Sequence, residues 1–359
     1  MKTFDRRWLL GGGLATLAGA GSLWRWHMNQ ESNQQEVTAP RIVKTVDGMP
    51  YREFGATGVA VSELGFGGWA IGGKSYGSVD RAEALSALAR AEELGCNFVD
   101  TAQVYGDSER VLGDFLAGRR DKWFVATKFS GQDAGMTATL ESQLQRLRTD
   151  HVDFYMIHWV PRGKYAGLYA ELEELKRAGK ARFIGVSLYN ANDIDYVLDE
   201  TRVDGLMVPF SLLDPDPFLA RRDRLRESRK AVIVRSALKE GFLTGKYKRD
   251  VRFTDPNDQR SSWTAARVAQ TVDQAERFRV LEPEAGSLVR AAIAYPLSFP
   301  EVSTVALGVK RVRDAEENFG KVAGLRLSSE SLVTVAALQQ EMNLREPTGF
   351  LSRLWSRLF

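Results

Sequence analysis

The chain has 359 residues, of which 44% are hydrophobic and 26% are charged, a composition typical of a folded globular protein. The single cysteine excludes an internal disulfide framework and a cysteine-rich metal site, and the presence of only three histidines argues against a histidine-based metal cluster. The 49 basic and 46 acidic side chains give a net charge of +3, and residues 1–26 hold four of the basic and one of the acidic residues. The rest of the chain is therefore electrically balanced, and no overall charge favours nucleic acid as a partner.

Residues 1–26 have the pattern of an export signal. Arg6 and Arg7 precede an uncharged stretch, rich in Gly, Ala and Leu, that ends near Leu23. This stretch is too short for a comfortable membrane span, and paired arginines before it are typical of a twin-arginine signal, which exports folded proteins. The sequence predicts a periplasmic location, either after cleavage or with the signal retained as a membrane anchor. Residues 27–48 are mostly polar, and we interpret them as a linker.

From residue 49 to residue 342, short apolar runs alternate with amphipathic stretches, which indicates βα units and a parallel sheet. The eight predicted strands are residues 64–66, 98–100, 124–127, 152–157, 183–186, 205–208, 231–235 and 302–306. Eight such units favour an α/β fold of the (β/α)8 TIM barrel type, which takes about 250 residues. A doubly wound open sheet is the alternative, but residues 65–68 lack the Gly-x-Gly-x-x-Gly pattern that leads into a helix there.

Further segments frame the predicted barrel. Residues 51–54 and 59–61 flank a glycine-containing turn, which predicts an N-terminal β-hairpin that plugs the bottom of the barrel. Residues 239–283 form a long insertion, which we interpret as a functional loop over the top face, and extra C-terminal helices follow the last strand. Residues 343–359 form a basic amphipathic tail, which either contacts a membrane or a partner or packs on its own barrel.

Titratable side chains follow three neighbouring predicted strands, at the barrel end where catalytic residues lie. They are Asp100, Lys128 and His158, with Tyr105 in the loop after Asp100. This set suits carbonyl reduction, because hydride arriving at a carbonyl carbon creates an alkoxide that needs a proton donor. A tyrosine hydroxyl, with an ordinary pKa near ~10, can supply the proton if a lysine lowers that pKa. We expect Asp100 to orient Lys128, and His158 to align the carbonyl oxygen.

Residues 98–106, 126–128, 155–158 and 179–187 resemble the corresponding segments of the aldo-keto reductases, and the resemblance extends over residues 49–342. It implies that the four residues above form the catalytic tetrad and that a nicotinamide cofactor, usually NADPH, lies across the top of the barrel. The implied cofactor-binding residues are Gly68, Trp69, Asp100, Ser187, Asn190, Ser236, Leu238, Gly241, Leu243, Lys246, Gly308, Lys310, Glu317 and Asn318. Lys310, with Arg311 or Arg313, is expected to pair with a 2′-phosphate and so to favour NADP. Trp69, Trp159 and Trp263 are the residues expected on the substrate side.

The chain departs from the family pattern at two positions near the implied carboxamide contact. Leu188 and Tyr189 separate Asn190 from Ser187, so whether Asn190 contacts the cofactor is left open. Met207 stands where a glutamine is common, and a thioether cannot donate a hydrogen bond to the carboxamide.

Together these features predict an exported NADPH-dependent oxidoreductase that reduces a small-molecule aldehyde or ketone, with no metal site. Because reduced nicotinamide is not expected outside the cytoplasm, we hypothesise that the enzyme leaves with its cofactor bound. The alternative is a non-catalytic or redox-sensing NADP-binding auxiliary subunit of a membrane-associated partner.

Overall fold

The computed structural model describes residues 41–73, 76–131 and 135–345. The predicted export signal, most of the predicted linker and residues 346–359 of the predicted tail lie outside the described residues.

A small antiparallel sheet precedes the barrel. Its strands are β1 (Ile42–Val46), β2 (Met49–Glu53) and β3 (Ala60–Ser62), in the order β1-β2-β3. Asp47 and Gly48 join β1 to β2 with φ of 50° and 83°, the positive values that a two-residue hairpin turn requires. The β2–β3 pair is the predicted hairpin. Strand β1 falls inside residues 27–48, so the linker is shorter than predicted; its β-branched residues and its turn outweigh the polar flanks.

Eight parallel strands then close into a barrel, which confirms the predicted fold. They are β4 (Leu64–Gly67), β5 (Phe98–Asp100), β6 (Phe124–Phe129), β7 (Val152–Ile157), β8 (Ala181–Ser187), β9 (Gly205–Pro209), β10 (Ala231–Arg235) and β11 (Thr304–Gly308). Each strand pairs with the next in the chain, and β11 pairs with β4 to close the ring. The carboxyl ends of all eight strands therefore meet on one face.

The helices surround the strands. They are α1 (Arg81–Glu93), α2 (Ser108–Leu116), α3 (Met136–Leu147), α4 (Leu168–Arg177), α5 (Ala191–Glu200), α6 (Arg222–Ser228), α7 (Ala265–Glu276), α8 (Glu282–Ala285), α9 (Leu288–Leu297), α10 (Val312–Ala315) and α11 (Ser329–Glu341). Side-chain oxygens of Asp80, Thr264 and Ser328 accept backbone N–H bonds at the starts of α1, α7 and α11. Within the described parts of the chain, no helix combines the length and the apolar character that crossing a membrane requires.

The hairpin plugs the end of the barrel opposite the strands' carboxyl ends, as predicted. Phe54 is fully buried, and its ring lies 4.7 Å from that of Phe124 and 5.1 Å from that of Phe154, centroid to centroid. Gly55 follows with a φ of +57°, and a Cβ there would lie 2.4 Å from the backbone nitrogen of Ala231. Only glycine lets the hairpin approach the barrel this closely.

The insertion between β10 and β11 is more ordered than the predicted loop. It contains α7, and residues 239–244 and 259–262 form short 3₁₀ helices. Phe242, Val268 and Val272 form a small separate core, against which Tyr247, Phe253 and Trp263 pack. The loop is thus held by its own hydrophobic cluster.

Candidate active site

Four titratable residues converge on the barrel face formed by the carboxyl ends of the strands. Asp100 ends β5, Lys128 lies near the end of β6, and His158 directly follows β7. Strands β5, β6 and β7 are neighbours in the barrel. Tyr105 lies in the loop between β5 and α2, and its ring contacts that of His158 at 5.7 Å between centroids. The structure therefore brings together all four side chains of the predicted tetrad.

Asp100 and Lys128 form a buried ion pair. Lys128 Nζ donates to Asp100 Oδ1 at 2.5 Å and to the carbonyl oxygen of Thr101 at 2.8 Å. The Lys128 side chain is fully buried and that of Asp100 nearly so. Burial raises the pKa of Asp100 and lowers the pKa of Lys128, and the attraction within the pair opposes both shifts. Each group is thus easier to neutralise than it would be in water.

Tyr105 lies under the ammonium group of Lys128. Lys128 Nζ is 4.8 Å from the centroid of the Tyr105 ring, and the rings of Trp69 and Tyr105 pack edge to face with 4.6 Å between their centroids. Burial, and next the nearby carboxylate of Asp100, raise the pKa of Tyr105 well above its usual range. The pKa of Tyr105 is thus raised overall, because burial and the Asp100 carboxylate outweigh the lowering expected from Lys128.

The backbone position of Tyr105 depends on the loop after β4. A Cβ on Gly72 would lie 1.8 Å from the carbonyl oxygen of Tyr105, so only glycine permits this approach. The amide of Asp107 also donates to the carbonyl oxygen of Gly72 at 3.2 Å. Two loops from neighbouring strands therefore fix the phenol together.

His158 is a neutral imidazole held by a serine. Its Nδ1 lies 2.9 Å from Ser130 Oγ, two residues after Lys128 in the chain. Burial, and next the positive charges of Lys128 and Arg235, lower the pKa of His158 to about 3. When the Ser130 hydroxyl donates to Nδ1, the ring proton is on Nε2, which can then donate to a carbonyl oxygen. Ser130 was missed by the sequence analysis; its place just past the end of β6 is the signal that could have found it.

Arg235 is a second residue that the sequence analysis missed. It ends β10, and its guanidinium donates to the carbonyl oxygen of Leu188 at 2.9 Å and to Ser236 Oγ at 3.4 Å. Its Cζ lies 4.7 Å from the centroid of the Tyr189 ring. Arg235 Nε is buried and has no hydrogen-bond partner among the described residues. A basic residue at the end of a barrel strand was the available signal, but it directly precedes the segment assigned to the cofactor.

The residues implied to hold a nicotinamide fit that group. Ser187 ends β8, is fully buried, and its hydroxyl has no partner within the described part of the chain. A buried hydroxyl without a hydrogen-bond partner destabilises the fold unless a ligand supplies that partner. A carboxamide can do so, because it both donates and accepts hydrogen bonds. Gly68 and Trp69 start the short helix after β4, beside Tyr105. Met207 pairs in register with Ser187 but is buried in the barrel's interior cluster.

The segment assigned to the cofactor pyrophosphate has an unusual backbone. Ser236, Lys239, Glu240 and Gly241 all have positive φ, between 45° and 88°. The amides of Lys239 and Gly241 donate within the segment, to the carbonyl oxygens of Ser236 and Leu238 at 2.8 and 3.0 Å. The remaining predicted contacts here are Leu238, Leu243 and Lys246; Leu243 is buried, and Lys246 Nζ lies 4.9 Å from the centroid of the Tyr247 ring.

At the predicted adenosine end, the basic residues already have protein partners. Lys310 donates to the carbonyl oxygen of Tyr76, and Arg311 lies 3.7 Å from a carboxylate oxygen of Glu83. The other predicted contacts at this end are Gly308, which is exposed, Glu317, which forms an ion pair with Arg290 at 2.7 Å, and Asn318, which is buried. Pairing of Lys310 with a 2′-phosphate stays a prediction.

The structure gives two predicted site residues other roles. The side chain of Asn190 accepts from the amide of Asp193 at 3.0 Å and caps α5, which competes with a contact to a cofactor. Trp263 stacks on Phe242 at 5.3 Å within the insertion's own cluster, so it packs there rather than against Tyr105.

The other two tryptophans lie near the tetrad. Trp69 packs on Tyr105, as described above. Trp159, the residue after His158, is partly buried and donates from Nε1 to the carbonyl oxygen of Gly131 at 3.0 Å. Both therefore remain candidates for contact with the substrate.

A closed parallel barrel with an Asp, Tyr, Lys and His at one mouth defines a class of oxidoreductase scaffold, and comparison with known proteins gives the family. Residues 63–340 match the model of the aldo/keto reductase family, and the chain belongs to that family. It is 25% identical to aldo-keto reductase YhdN of Bacillus subtilis, over 84% of this chain and 96% of that protein. It is 26% identical to the NADH-specific methylglyoxal reductase of Escherichia coli, over 80% and 96%. The holo form of aldo-keto reductase AKR11C1 from Bacillus halodurans has a similar structure, with a TM-score of 0.68, 25% identity and coverage of 81% and 96%.

Proposed function

We propose that the protein reduces a small-molecule aldehyde or ketone to an alcohol with NADPH. The observation that carries the proposal is the convergence of Asp100, Tyr105, Lys128 and His158 at one mouth of the barrel, with the phenol protonated and the imidazole neutral. Trp69 and Ser187 would contact the nicotinamide, which would supply hydride directly to the carbonyl carbon. Family membership supports this reaction class.

The tetrad residues divide the remaining work. His158 donates a hydrogen bond from Nε2 to the carbonyl oxygen and so orients it beside Tyr105. The Tyr105 hydroxyl gives its proton to that oxygen as negative charge develops there. Because the pKa of Tyr105 is raised, the phenol keeps its proton at neutral pH until a stronger base forms. Lys128 then stabilises the resulting phenolate, and Asp100 holds Lys128 in place.

The decisive experiment follows NADPH oxidation by purified protein with a panel of aromatic and aliphatic aldehydes, beside the variant Tyr105→Phe. We expect kcat of the variant to fall by about 100-fold or more, the usual contribution of a general acid. Tyr196→Phe is the matched control, since Tyr196 is a partly buried tyrosine on α5 away from the tetrad. Equal turnover by the wild type and Tyr105→Phe would contradict the assigned mechanism.

We propose NADPH rather than NADH because Lys310, Arg311 and Arg313 cluster at the start of α10. A 2′-phosphate would replace their present contacts with Tyr76, Glu83 and Asp314 by charge-assisted ones. Because the relative from Escherichia coli is NADH-specific, the test compares the binding of both cofactors directly. We expect the Kd for NADPH to be at least about tenfold lower than that for NADH, and Lys310→Ala to remove most of the difference. A lower Kd for NADH would overturn the preference. Ser187→Ala should weaken both cofactors equally.

We also propose that the protein is exported through its paired arginines with the cofactor already bound. The support is the leader pattern of residues 1–26, which lies outside the described residues. Replacing Arg6 and Arg7 together by lysine should keep the full chain in the cytoplasm, while Arg25→Lys, in the same leader, should leave export unchanged. Exported protein without bound nicotinamide would refute retention. Liposome co-sedimentation before and after truncation at Pro347 tests the proposed contact of the tail with a membrane.

A further inference from the structure

We propose that Arg235 binds a carboxylate of the substrate, so that the enzyme prefers aldehydes or ketones that carry a carboxylate over neutral ones. This inference rests on the proposed carbonyl reductase activity and names the class of carbonyl compound that the site accepts.

Arg235 lies on the tetrad's face of the barrel, at the end of β10. Contacts connect it to the residue that aligns the carbonyl. Its guanidinium covers the ring of Tyr189, and the Tyr189 hydroxyl donates to the carbonyl oxygen of His158 at 3.3 Å. Tyr189 is 56% exposed, so this group of three side chains opens to solvent where a substrate would enter. The charge of Arg235 also lowers the pKa of His158, which places it within electrostatic range of the reacting carbonyl.

Among the described residues, no carboxylate contacts the guanidinium of Arg235; those of Asp100 and Glu240 interact with its charge from beyond ion-pair distance. Its three contacts, with Leu188, Ser236 and Tyr189, are all to neutral groups, and within the described residues it forms no ion pair with a carboxylate. Two lysines on this side of the barrel are, by contrast, compensated by carboxylates. Lys128 pairs with Asp100, and Lys239 pairs with Asp214 at 2.5 Å.

Partial burial strengthens the attraction of this charge for an anion. Arg235 Nε has lost water without gaining a protein acceptor, so solvent screens the guanidinium less than it would a surface arginine. Because a charge that is partly desolvated and unpaired is costly, an anionic ligand that pairs with it is favoured.

The chemistry of the guanidinium favours a carboxylate as that anion. Two of its five N–H groups donate to Leu188 and Ser236, one from each terminal nitrogen, and each terminal nitrogen keeps a second N–H for a ligand. A planar guanidinium binds a planar carboxylate through paired hydrogen bonds. A phosphate of the cofactor offers similar oxygen acceptors, and the experiment separates these two sources of negative charge.

The test compares kcat/KM for 4-carboxybenzaldehyde and for its neutral methyl ester in the full-length protein. We expect the wild type to prefer the acid, and Arg235→Met to lower the acid-to-ester preference by about tenfold or more, the effect of losing a charge-assisted hydrogen bond. An unchanged preference in Arg235→Met, or no preference in the wild type, would overturn the proposal.

Three further variants make the comparison specific. Arg235→Lys keeps the charge, so it should lose less of the acid preference than Arg235→Met. Arg252→Met removes an exposed arginine of the insertion whose hydrogen bonds also go to backbone carbonyls, and it should leave the preference unchanged. Arg235→Gln, which retains a donor for Leu188, replaces the methionine variant if that variant does not fold. A loss of preference in Arg252→Met equal to that in Arg235→Met would contradict the assignment.

Two binding measurements separate failure of this inference from failure of the proposed function. If Arg235→Met weakens NADPH binding about tenfold and slows acid and ester equally, the guanidinium serves the cofactor and the proposal is overturned. If the wild type reduces neither aldehyde, the reductase proposal fails, and the Kd of benzoate for the NADP-loaded protein decides the carboxylate site. Weakening of that Kd by about tenfold in Arg235→Met supports the site, and an equal Kd in both proteins contradicts it.

Discussion

Replacing Lys128 by methionine should make the stability of the barrel depend strongly on pH. The substitution keeps the side-chain volume approximately but leaves the carboxylate of Asp100 buried without its ammonium partner at 2.5 Å. Breaking a buried ion pair from one side costs about 3–5 kcal/mol. Asp100 can escape part of this cost by taking up a proton, since burial raises its pKa.

The sign of the pH dependence follows from that raised pKa. In the unfolded chain Asp100 titrates near its ordinary value of about 3.9. In the folded state of Lys128→Met, Asp100 holds its proton to a higher pH than in the unfolded chain. Protonation of Asp100 therefore stabilises the fold fully below about pH 4. It is lost as pH rises, at up to about 1.4 kcal/mol per pH unit, until the raised pKa is passed. From pH 5 to pH 8, the free energy of unfolding measured by urea titration should therefore decrease more for Lys128→Met than for the wild type.

Two further proteins make this prediction refutable. Adding Asp100→Asn to Lys128→Met should restore stability at pH 8, because the buried charge is gone. Lys176→Met is the control: Lys176 pairs with Asp204 at 2.7 Å, but its side chain is 37% exposed, and such a pair contributes about 0–1 kcal/mol. The reasoning fails if Lys128→Met is equally destabilised at both pH values, or if the double variant is no more stable at pH 8 than the single one.

Three other predictions follow from the site and the core. Because the pKa of His158 is about 3, kcat/KM should show no histidine ionisation near pH 6.5; a break there that disappears in His158→Gln would contradict the neutral imidazole. Gly72→Ala places a Cβ against the carbonyl oxygen of Tyr105 and should lower kcat about 100-fold, whereas Gly167→Ala, which meets no neighbour within 4 Å, should not change it in the same assay. Phe54→Ala empties the plug of the barrel and should lower the free energy of unfolding by about 3–5 kcal/mol in urea, and a loss below 1 kcal/mol would show that the interior collapses to fill the space.

The strands of the barrel were predictable because each is a short apolar run between polar segments, and burial on both faces requires that pattern. The tetrad was predictable for a related reason: Asp100, Lys128 and His158 stand at or next to strand ends, and parallel strands bring those ends together. Strand β1 was missed because it is short, exposed along most of its length and adjoins a polar segment, and only its pairing with β2 defines it.

Where single residues take other roles than those expected, the common physical cause is competition between partners. Asn190 has the chemistry for a carboxamide contact but lies at the start of a helix, where a backbone amide reaches it first. Trp263 lies in the insertion but has a closer apolar neighbour in Phe242. The pKa of Tyr105 depends on how completely Asp100 compensates Lys128, which is a matter of distances that no spacing in the sequence reports.

The buried pair of Asp100 and Lys128 also constrains how this family can evolve. Loss of either charge alone leaves the other buried without a partner, so folding opposes it before activity is considered. A descendant that abandons the reaction keeps a stable barrel by replacing both residues. Among relatives, an aspartate and a lysine at these positions should therefore be retained together or lost together.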